Sequence, residues 1–492
     1  MNTMAKVLFT HSYFYRFDSK QWKTRQPYPP LATILAAAVM RKEGFDVALF
    51  DTNLRHGPDE IIPVLIKETP RYLVIYDDGF NYLSKMCLTN MREAAFEMAR
   101  QGKQAGCIVI VSSSDAADHY EKYLDQAFDF VIKGEGEETL KELLHTLENK
   151  GDVSTIQGLI YKEQDKVLTA TPRAVIKDLD SLPLPAWDLV DVAAYRDIWI
   201  SQHGYFSLNI ATTRGCPFKC NWCAKPIYGN RYTSRSPEHV VYEIERLLKF
   251  FEPDHFWMCD DIFGLKPGWV QAFRDLVKER GLKFKYTIQS RADLLLQEDT
   301  ISALAQSGAK TVWIGAESGS QKILDAMDKG TTLEQIHKAT HLMKLKGIRV
   351  AFFLQFGYVG ETQEDIDATI RMVLNLMPDE VGISVSYPLP GTKFYENVRD
   401  QLKDKQNWTD SDDLAMMFNG TFGREYYRKL HRYVHSVYRT HRGLHSFRKL
   451  FRSPLQLTYK DMKSGVAYIY FAAQAYSLNK KLNKLKVPKL SV

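Results

Sequence analysis

The chain has 492 residues, 45% hydrophobic and 25% charged, which excludes a mostly disordered, collagen-like or disulfide-stapled polypeptide and implies about three domains rather than one core. The longest uncharged apolar run near the start, residues 31–40, is too short to span a bilayer, so the chain reads as cytoplasmic. The formal charge of +6 hides an asymmetry: residues 424–492 carry sixteen Lys and Arg against Glu425 and Asp461, which leaves the main body mildly acidic.

In chain order, short β-branched or aromatic runs at 7–10, 47–50, 72–76, 108–111 and 128–132 predict strands. Helical patterns separate them: Leu31, Ile34, Leu35, Ala38 and Val39 with Gly44 as the stop, then 91–104 and 137–147. Five strands with such crossovers make a Rossmann-like, doubly wound parallel sheet over residues 1–150. Ligands of such sheets sit at the strands' carboxyl ends, here residues 11–12, 51–53, 77–79, 112–115 and 134–137. Residues 151–204 read as a connector, Pro-rich at 181–187, with short strand pairing expected near 158–161. Residues 205–392 then repeat strand–helix units, with strands at 207–211, 256–258, 284–288, 311–314, 350–354 and 381–385. Ser236 as N-cap and Pro237 behind it start one of the helices. Six units fall short of an eight-unit barrel of ~250 residues, so a partial, open (β/α)6 TIM-type barrel is expected. Residues 393–492 read as a covering segment followed, from 424, by basic, aromatic-rich helices.

The strongest chemical signal is Arg214-Gly215-Cys216-Pro217-Phe218-Lys219-Cys220-Asn221-Trp222-Cys223, a C-x3-C-x2-C loop just after the first barrel strand. Of six cysteines, at 87, 107, 216, 220, 223 and 259, three fall in this loop, which in a reducing compartment points to metal binding rather than disulfides. Three thiolates suit a soft metal centre and leave one iron of a cubane cluster open to a ligand. The competing reading is a structural zinc, normally closed by four ligands, for which His203 and His239 are the nearby candidates, neither with CxxC-like spacing. Three metal-free core cysteines suit this polar loop poorly.

Cys216, Cys220 and Cys223, with Trp222 before the last, resemble the cluster motif of the radical SAM superfamily. Residues 312–320, with Gly315-Ala316-Glu317, resemble that family's GGE-type motif, which contacts the amino group of S-adenosylmethionine, Glu317 being the polar anchor. Residues 258–263 and 289–293 stand at strand ends where family members line the pocket, and 357–362 resemble the loop that closes over the adenosine. The resemblance implies a 4Fe–4S cluster on the three cysteines. It also implies S-adenosylmethionine contacts from Trp222, Ala224, Gln289, Arg291, Gly315, Ala316, Glu317 and Gly360, and formation of a 5′-deoxyadenosyl radical that attacks an unactivated C–H bond.

The N-terminal region resembles the cobalamin-binding domain fused to many such enzymes, through Tyr28-Pro29-Pro30-Leu31, the strand end at Asp51 and Gly134-Glu135-Gly136-Glu137. The resemblance implies cobalamin contacts from Tyr28, Leu31, Ser112, Ser113, Gly134 and Gly136. The D-x-H-x-x-G motif that supplies a histidine to cobalt is missing: Thr52-Asn53 follow Asp51, and His56 is at the wrong spacing. A purely structural domain is the alternative. Residues 387–392 and 407–413 resemble the anaerobic magnesium-protoporphyrin monomethyl ester oxidative cyclases, whose architecture carbon methyltransferases and lipid-modifying enzymes share. Implied partners are a low-potential donor such as flavodoxin or ferredoxin and a small-molecule, lipid or tetrapyrrole substrate. The basic end, with His431/His435 and His441/His445 at i,i+4, reads as a solvated cap over the barrel or a peripheral contact with an anionic inner-membrane face. The reading from another class is a zinc-bearing nucleic-acid-binding protein that uses this basic tail.

Overall fold

The structure is a computed structural model that describes residues 4–86, 88–225, 227–402, 406–452 and 459–486; Cys87 and the side chains of His445, Phe447, Phe451 and Tyr459 lie outside them. The first sheet contains β1 (Met4–Thr10), β2 (Phe45–Phe50), β3 (Tyr72–Tyr76), β4 (Ile108–Ser112), β5 (Phe130–Ile132), β6 (Leu159–Glu163) and β7 (Lys166–Thr169) in the order β2-β1-β3-β4-β5-β6-β7. Strands β1 to β5 are parallel. Central β3, Tyr-Leu-Val-Ile-Tyr, is buried throughout, as a strand covered by helices on both faces must be. The order switches beside β1, which puts a crevice at the carboxyl ends of β1 and β3.

The sheet has seven strands where five were expected from residues 1–150. Strands β6 and β7 form an antiparallel hairpin that adds to β5 from within the segment read as a connector. Its turn, Gln164–Asp165, takes positive φ at both residues, a type I′ geometry that two non-glycine polar residues do not advertise. The rest of the connector is a packed strap. Its helix Val192–His203, capped by the Asp191 side chain and stopped by left-handed Gly204, buries Tyr195 and Trp199. The Tyr195 hydroxyl donates to Asp51 at 2.7 Å and the Trp199 indole donates to the Pro27 carbonyl at 2.8 Å.

The second sheet contains β8 (Ser207–Ile210), β11 (His255–Met258), β12 (Lys285–Ser290), β13 (Ala309–Glu317), β14 (Arg349–Phe356) and β15 (Glu380–Val385), parallel and in chain order. Between β8 and β11 lies the two-stranded ribbon of β9 (Thr213–Arg214) and β10 (Thr233–Ser234). Strands β8 and β15 are the two edges, so the barrel is open. Ser236 caps the helix Pro237–Phe251 by accepting from the His239 N–H, as its position before a proline predicts. The helix Arg424–Arg452 packs on the helix Gln363–Leu376 and on β15. Tyr426, Tyr427, Leu430, Val434 and Tyr438 form its buried stripe, so these tyrosines belong to the core rather than to a solvated surface. The Tyr438 hydroxyl donates to the Pro378 carbonyl at 2.6 Å. The last helix, Tyr459–Leu485, pairs with that helix and has Leu482 as its one fully buried hydrophobic residue among those described.

Candidate functional site at the barrel mouth

The cysteine loop leaves β8, and the β9–β10 ribbon closes its base. Gly215 starts the wrap at φ +75, where a Cβ would stand 2.5 Å from the Arg231 carbonyl oxygen, so no side chain fits. Asn221 fastens the far side: its Nδ2 donates to the Ala326 carbonyl at 2.7 Å and its Oδ1 accepts from the Tyr358 hydroxyl at 2.7 Å. Lys225 staples the loop to itself through the Phe218 carbonyl, 2.7 Å away. All three thiols are free; Cys216 is buried, and Cys220 and Cys223 are half-buried. Burial pushes the Cys216 thiol up and the Cys223 thiol to about 12, the direction a bound cation reverses.

Arg291, at the end of β12, brings a positive charge to the loop. Its guanidinium lies 4.0 Å from the Cys220 sulfur and over the Phe218 ring, donates to the Lys329 carbonyl at 2.8 Å and pairs with Asp293. Glu317 ends β13 in the left-handed region, φ +54, after a bulge at residues 315–317 that turns its side chain into the mouth. There it accepts from the Lys329 ammonium at 2.8 Å, both side chains being buried. Burial opposes the Lys329 charge, but Glu317 and Cys220 hold its ammonium above the ordinary lysine value. Lys329 also stands 5.9 Å from the Trp222 ring, whose indole N–H is buried without a partner. Cys220, Trp222, Arg291, Gly315, Glu317 and Lys329 therefore form one continuous patch.

The other residues expected to contact S-adenosylmethionine have their contacts outside this patch. Ala316 is fully buried, Ala224 is half-buried, and the Gln289 amide reaches the Asp260 carbonyl at 3.5 Å. Gly360 is exposed, and its carbonyl accepts from Lys322. Next to it, Glu361 is buried with one oxygen accepting from the Gly357 N–H, and desolvation raises its pKa to about 8. Sequence reasoning missed Lys329, Asn221 and the barrel-mouth pair Lys85–Asp261, 2.6 Å apart. A lysine in Asp328-Lys329-Gly330 reads as a solvated turn; only the fold brings it to Glu317.

Removing Lys329 leaves a buried, unpaired carboxylate. Lys329→Met is expected to lower stability by about 3–5 kcal/mol, and adding Glu317→Gln to recover most of it. Denaturant unfolding checks this; unchanged stability in the single variant would contradict a buried pair.

Residues 210–373 match the Radical SAM superfamily. This chain carries a radical SAM domain. An uncharacterised methyltransferase of Pyrococcus horikoshii is 32% identical over 57% of the chain and 60% of its own length. The anaerobic magnesium-protoporphyrin IX monomethyl ester cyclase of Rubrivivax gelatinosus is 28% identical over 58% of the chain and 52% of its own length. The chain thus spans between half and two thirds of the length of these curated relatives. The solved structure of OxsB, a cobalamin-dependent S-adenosylmethionine radical enzyme with aqua-cobalamin and S-adenosylmethionine bound, superposes with a TM-score of 0.72 at 16% identity. It covers 96% of the chain and 72% of OxsB, a likeness of fold.

The first sheet's carboxyl edge meets the half that carries the cysteine loop. Of the residues expected to hold cobalamin, Tyr28, Leu31 and Gly134 lie at this seam, and the contacts of Ser112, Ser113 and Gly136 stay within the first sheet's half. Tyr28 bonds Ser207 at 3.0 Å, the Leu31 N–H donates to Asp78, and Ser113 caps a short helix by accepting from the Ala116 N–H. Ser112 packs on Gly136, where a Cβ would meet the Ser112 hydroxyl and the Tyr76 ring at 2.8 Å. Gly134, φ +89, lies beneath the Ile227 carbonyl. Just past the cysteines, Ile227 covers Gly79 and Tyr228 stacks on Phe80. Across the seam Asn209 donates to the Pro29 carbonyl, while its own Oδ1 is buried without a partner, an acceptor that a ligand's amide N–H can satisfy. Glu135 and Glu137 both grip Arg214, at 2.5 and 2.7 Å, so this loop ties the first sheet to the root of the cysteine loop.

Proposed function

We propose that the protein is a cobalamin-assisted radical enzyme that modifies an unactivated carbon by methyl transfer or oxidative cyclisation. One observation carries this reading: three free thiols on a single glycine-wrapped loop share a barrel mouth with Arg291 and the Glu317–Lys329 pair. Cys216, Cys220 and Cys223 would hold a 4Fe–4S cluster. Three cysteine donors fall one short of the four that usually close a structural zinc site. The donor set fits a larger cluster that leaves one iron open. With S-adenosylmethionine at that iron, the chemistry supplied is one-electron cleavage to a 5′-deoxyadenosyl radical that removes hydrogen from carbon.

The chain's own groups do the positioning. Glu317 and Lys329 present paired opposite charges that match the ammonium and carboxylate of an amino acid, each charge-assisted bond contributing about 1.5–3 kcal/mol. Arg291 places a guanidinium 4.0 Å from the Cys220 sulfur and fixes it there through the Lys329 carbonyl and Asp293. Lys85 meets Asp261 at 2.6 Å across the seam. The first sheet meets the cysteine loop's far end through Gly79 and Phe80, which Ile227 and Tyr228 cover. Cobalamin would take the seam beside Asn209, which requires Ile227 and Tyr228 to leave Gly79 and Phe80.

An electron donor such as flavodoxin or ferredoxin and a tetrapyrrole, lipid or other small-molecule substrate follow from the same reading. Anaerobic reconstitution with iron and sulfide tests it: about four of each per chain and reductive cleavage of S-adenosylmethionine are expected. A single tightly held zinc in place of iron and sulfide would favour the nucleic-acid-binding alternative. With substrate, methyl transfer gives S-adenosylhomocysteine together with 5′-deoxyadenosine, and cyclisation gives 5′-deoxyadenosine alone. The cobalamin assignment carries its own expected result. His11 is buried between Asp51 and Thr52, and His56 is exposed at the wrong spacing, so neither is placed to ligate cobalt. Cobalamin retained through gel filtration should show no nitrogen superhyperfine splitting in its Co(II) EPR spectrum; no retention would make the first sheet purely structural.

A further inference from the structure

The last helix, Tyr459–Leu485, keeps one face against its partner: the Gln474 side chain meets Ser436 at 2.7 Å, Phe471 lies under Arg439, and Leu482 is buried. Among the described residues nothing covers the opposite face, except that Lys484 at its end lines a cavity with residues 415–426. Ile469, Ala473, Tyr476, Lys480 and Lys484 follow one another at spacings of three and four, which puts them on a single stripe, and all five are exposed. Tyr470 and Lys481 flank it. Ile469 is 72% exposed, Tyr470 63% and Tyr476 75%, values that no core-facing or strap-covered aromatic here approaches. The stripe is divided along its length, with apolar and aromatic groups in its first half and lysines in its second. From residue 462 to the end the sequence has six lysines and no Asp or Glu.

We infer that this face docks the protein on an anionic phospholipid bilayer, the helix lying in the interfacial plane. Charge complementarity selects the partner: a wholly cationic segment is attracted to acidic headgroups. The aliphatic and tyrosine half then gives apolar area to the acyl boundary, with the tyrosine hydroxyls at headgroup level. Nucleic acid would use the lysines but leave Ile469 and Ala473 without a role. A parallel two-fold pairing of the face with a second copy would bring lysines together, and an antiparallel one would set them on the partner's apolar half with no carboxylate of the stripe to pair them. Among the described residues no helix is long and apolar enough to cross a membrane, so the helix lies on the surface rather than spanning it.

The test is co-sedimentation of the full-length protein with vesicles of phosphatidylcholine alone and of phosphatidylcholine mixed with phosphatidylglycerol. Binding is expected only to the mixed vesicles and should weaken as salt rises. Lys480→Gln and Lys481→Gln should each lower partitioning about fivefold. Ile469→Ser with Tyr476→Ser should abolish what salt does not, while circular dichroism and cluster content stay unchanged because these side chains are exposed. Equal binding to both vesicle types, or to neither, overturns the inference. So does a concentration-dependent dimer that the same substitutions dissolve, or retention on an RNA oligonucleotide with no binding to vesicles.

Discussion

Cys216→Ala is expected to take iron and sulfide from about four each per chain to near zero, with Cys220→Ala and Cys223→Ala doing the same. A three-cysteine site has no spare ligand. The described thiols outside the loop are committed elsewhere: Cys107 points to the Pro70 carbonyl in the first sheet, and Cys259 lies against the Ile210 carbonyl on β8. Cys107 directly precedes β4 and Cys259 directly follows β11, so a shift toward the loop would break these contacts. Cys107→Ala and Cys259→Ala should therefore leave iron content intact. The loop's shape does not depend on the thiols, because Gly215, Asn221 and Lys225 hold it through backbone and amide contacts. The Cys→Ala variants should consequently keep their fold by circular dichroism while losing the cluster. Full iron and S-adenosylmethionine cleavage in Cys216→Ala would refute the ligand assignment.

The strands were readable because each is a short, nearly continuous apolar run between helical patterns, the signature of a parallel strand buried on both faces. Helix starts were readable where the chemistry is local, as at Ser236-Pro237. The pairing near 158–161 was readable and is β6, but its partner β7 was not, because that strand is a polar edge and the turn places Gln164 and Asp165 in left-handed conformations. The same boundary separates what was seen of the site from what was missed. The cysteine loop is local, so spacing alone marks it. The partners that set its electrostatics are not: Lys329 reaches Glu317 from a neighbouring turn, and Lys85 reaches Asp261 from the other sheet. Asp260, read as pocket lining, is a structural acceptor for the Thr212 and Thr213 N–H groups, and burial raises its pKa to about 6. The Gly134–Glu137 stretch was read for its glycines and a ligand edge, whereas its two acids do the work of holding Arg214.

Arg214 precedes Gly215-Cys216 and is buried with Glu135 and Glu137, so its replacement should disturb both sheets at once. Arg214→Met fills similar space but leaves two carboxylates in an interior that cannot solvate them, a loss of about 3–5 kcal/mol at neutral pH. Glu135 is already raised by burial, with Arg214 opposing that shift and Glu137 adding to it. Without the guanidinium its folded-state pKa rises further above the unfolded value. A carboxyl shifted upward costs nothing while both states are protonated, and the cost grows as pH climbs from the unfolded value through the folded one. The stability gap between Arg214→Met and the parent chain should therefore be small in acid and widen toward neutral pH, which unfolding at several pH values measures. A gap independent of pH would mean lost packing rather than unpaired charge. Adding Glu135→Gln and Glu137→Gln to Arg214→Met should flatten the pH dependence, because the triple variant buries no charge at this position. Since β9 and the first cysteine hang from the same residue, the single variant should also reconstitute with less iron, and the triple variant should recover it if the salt-bridged joint acts by fixing the loop's root.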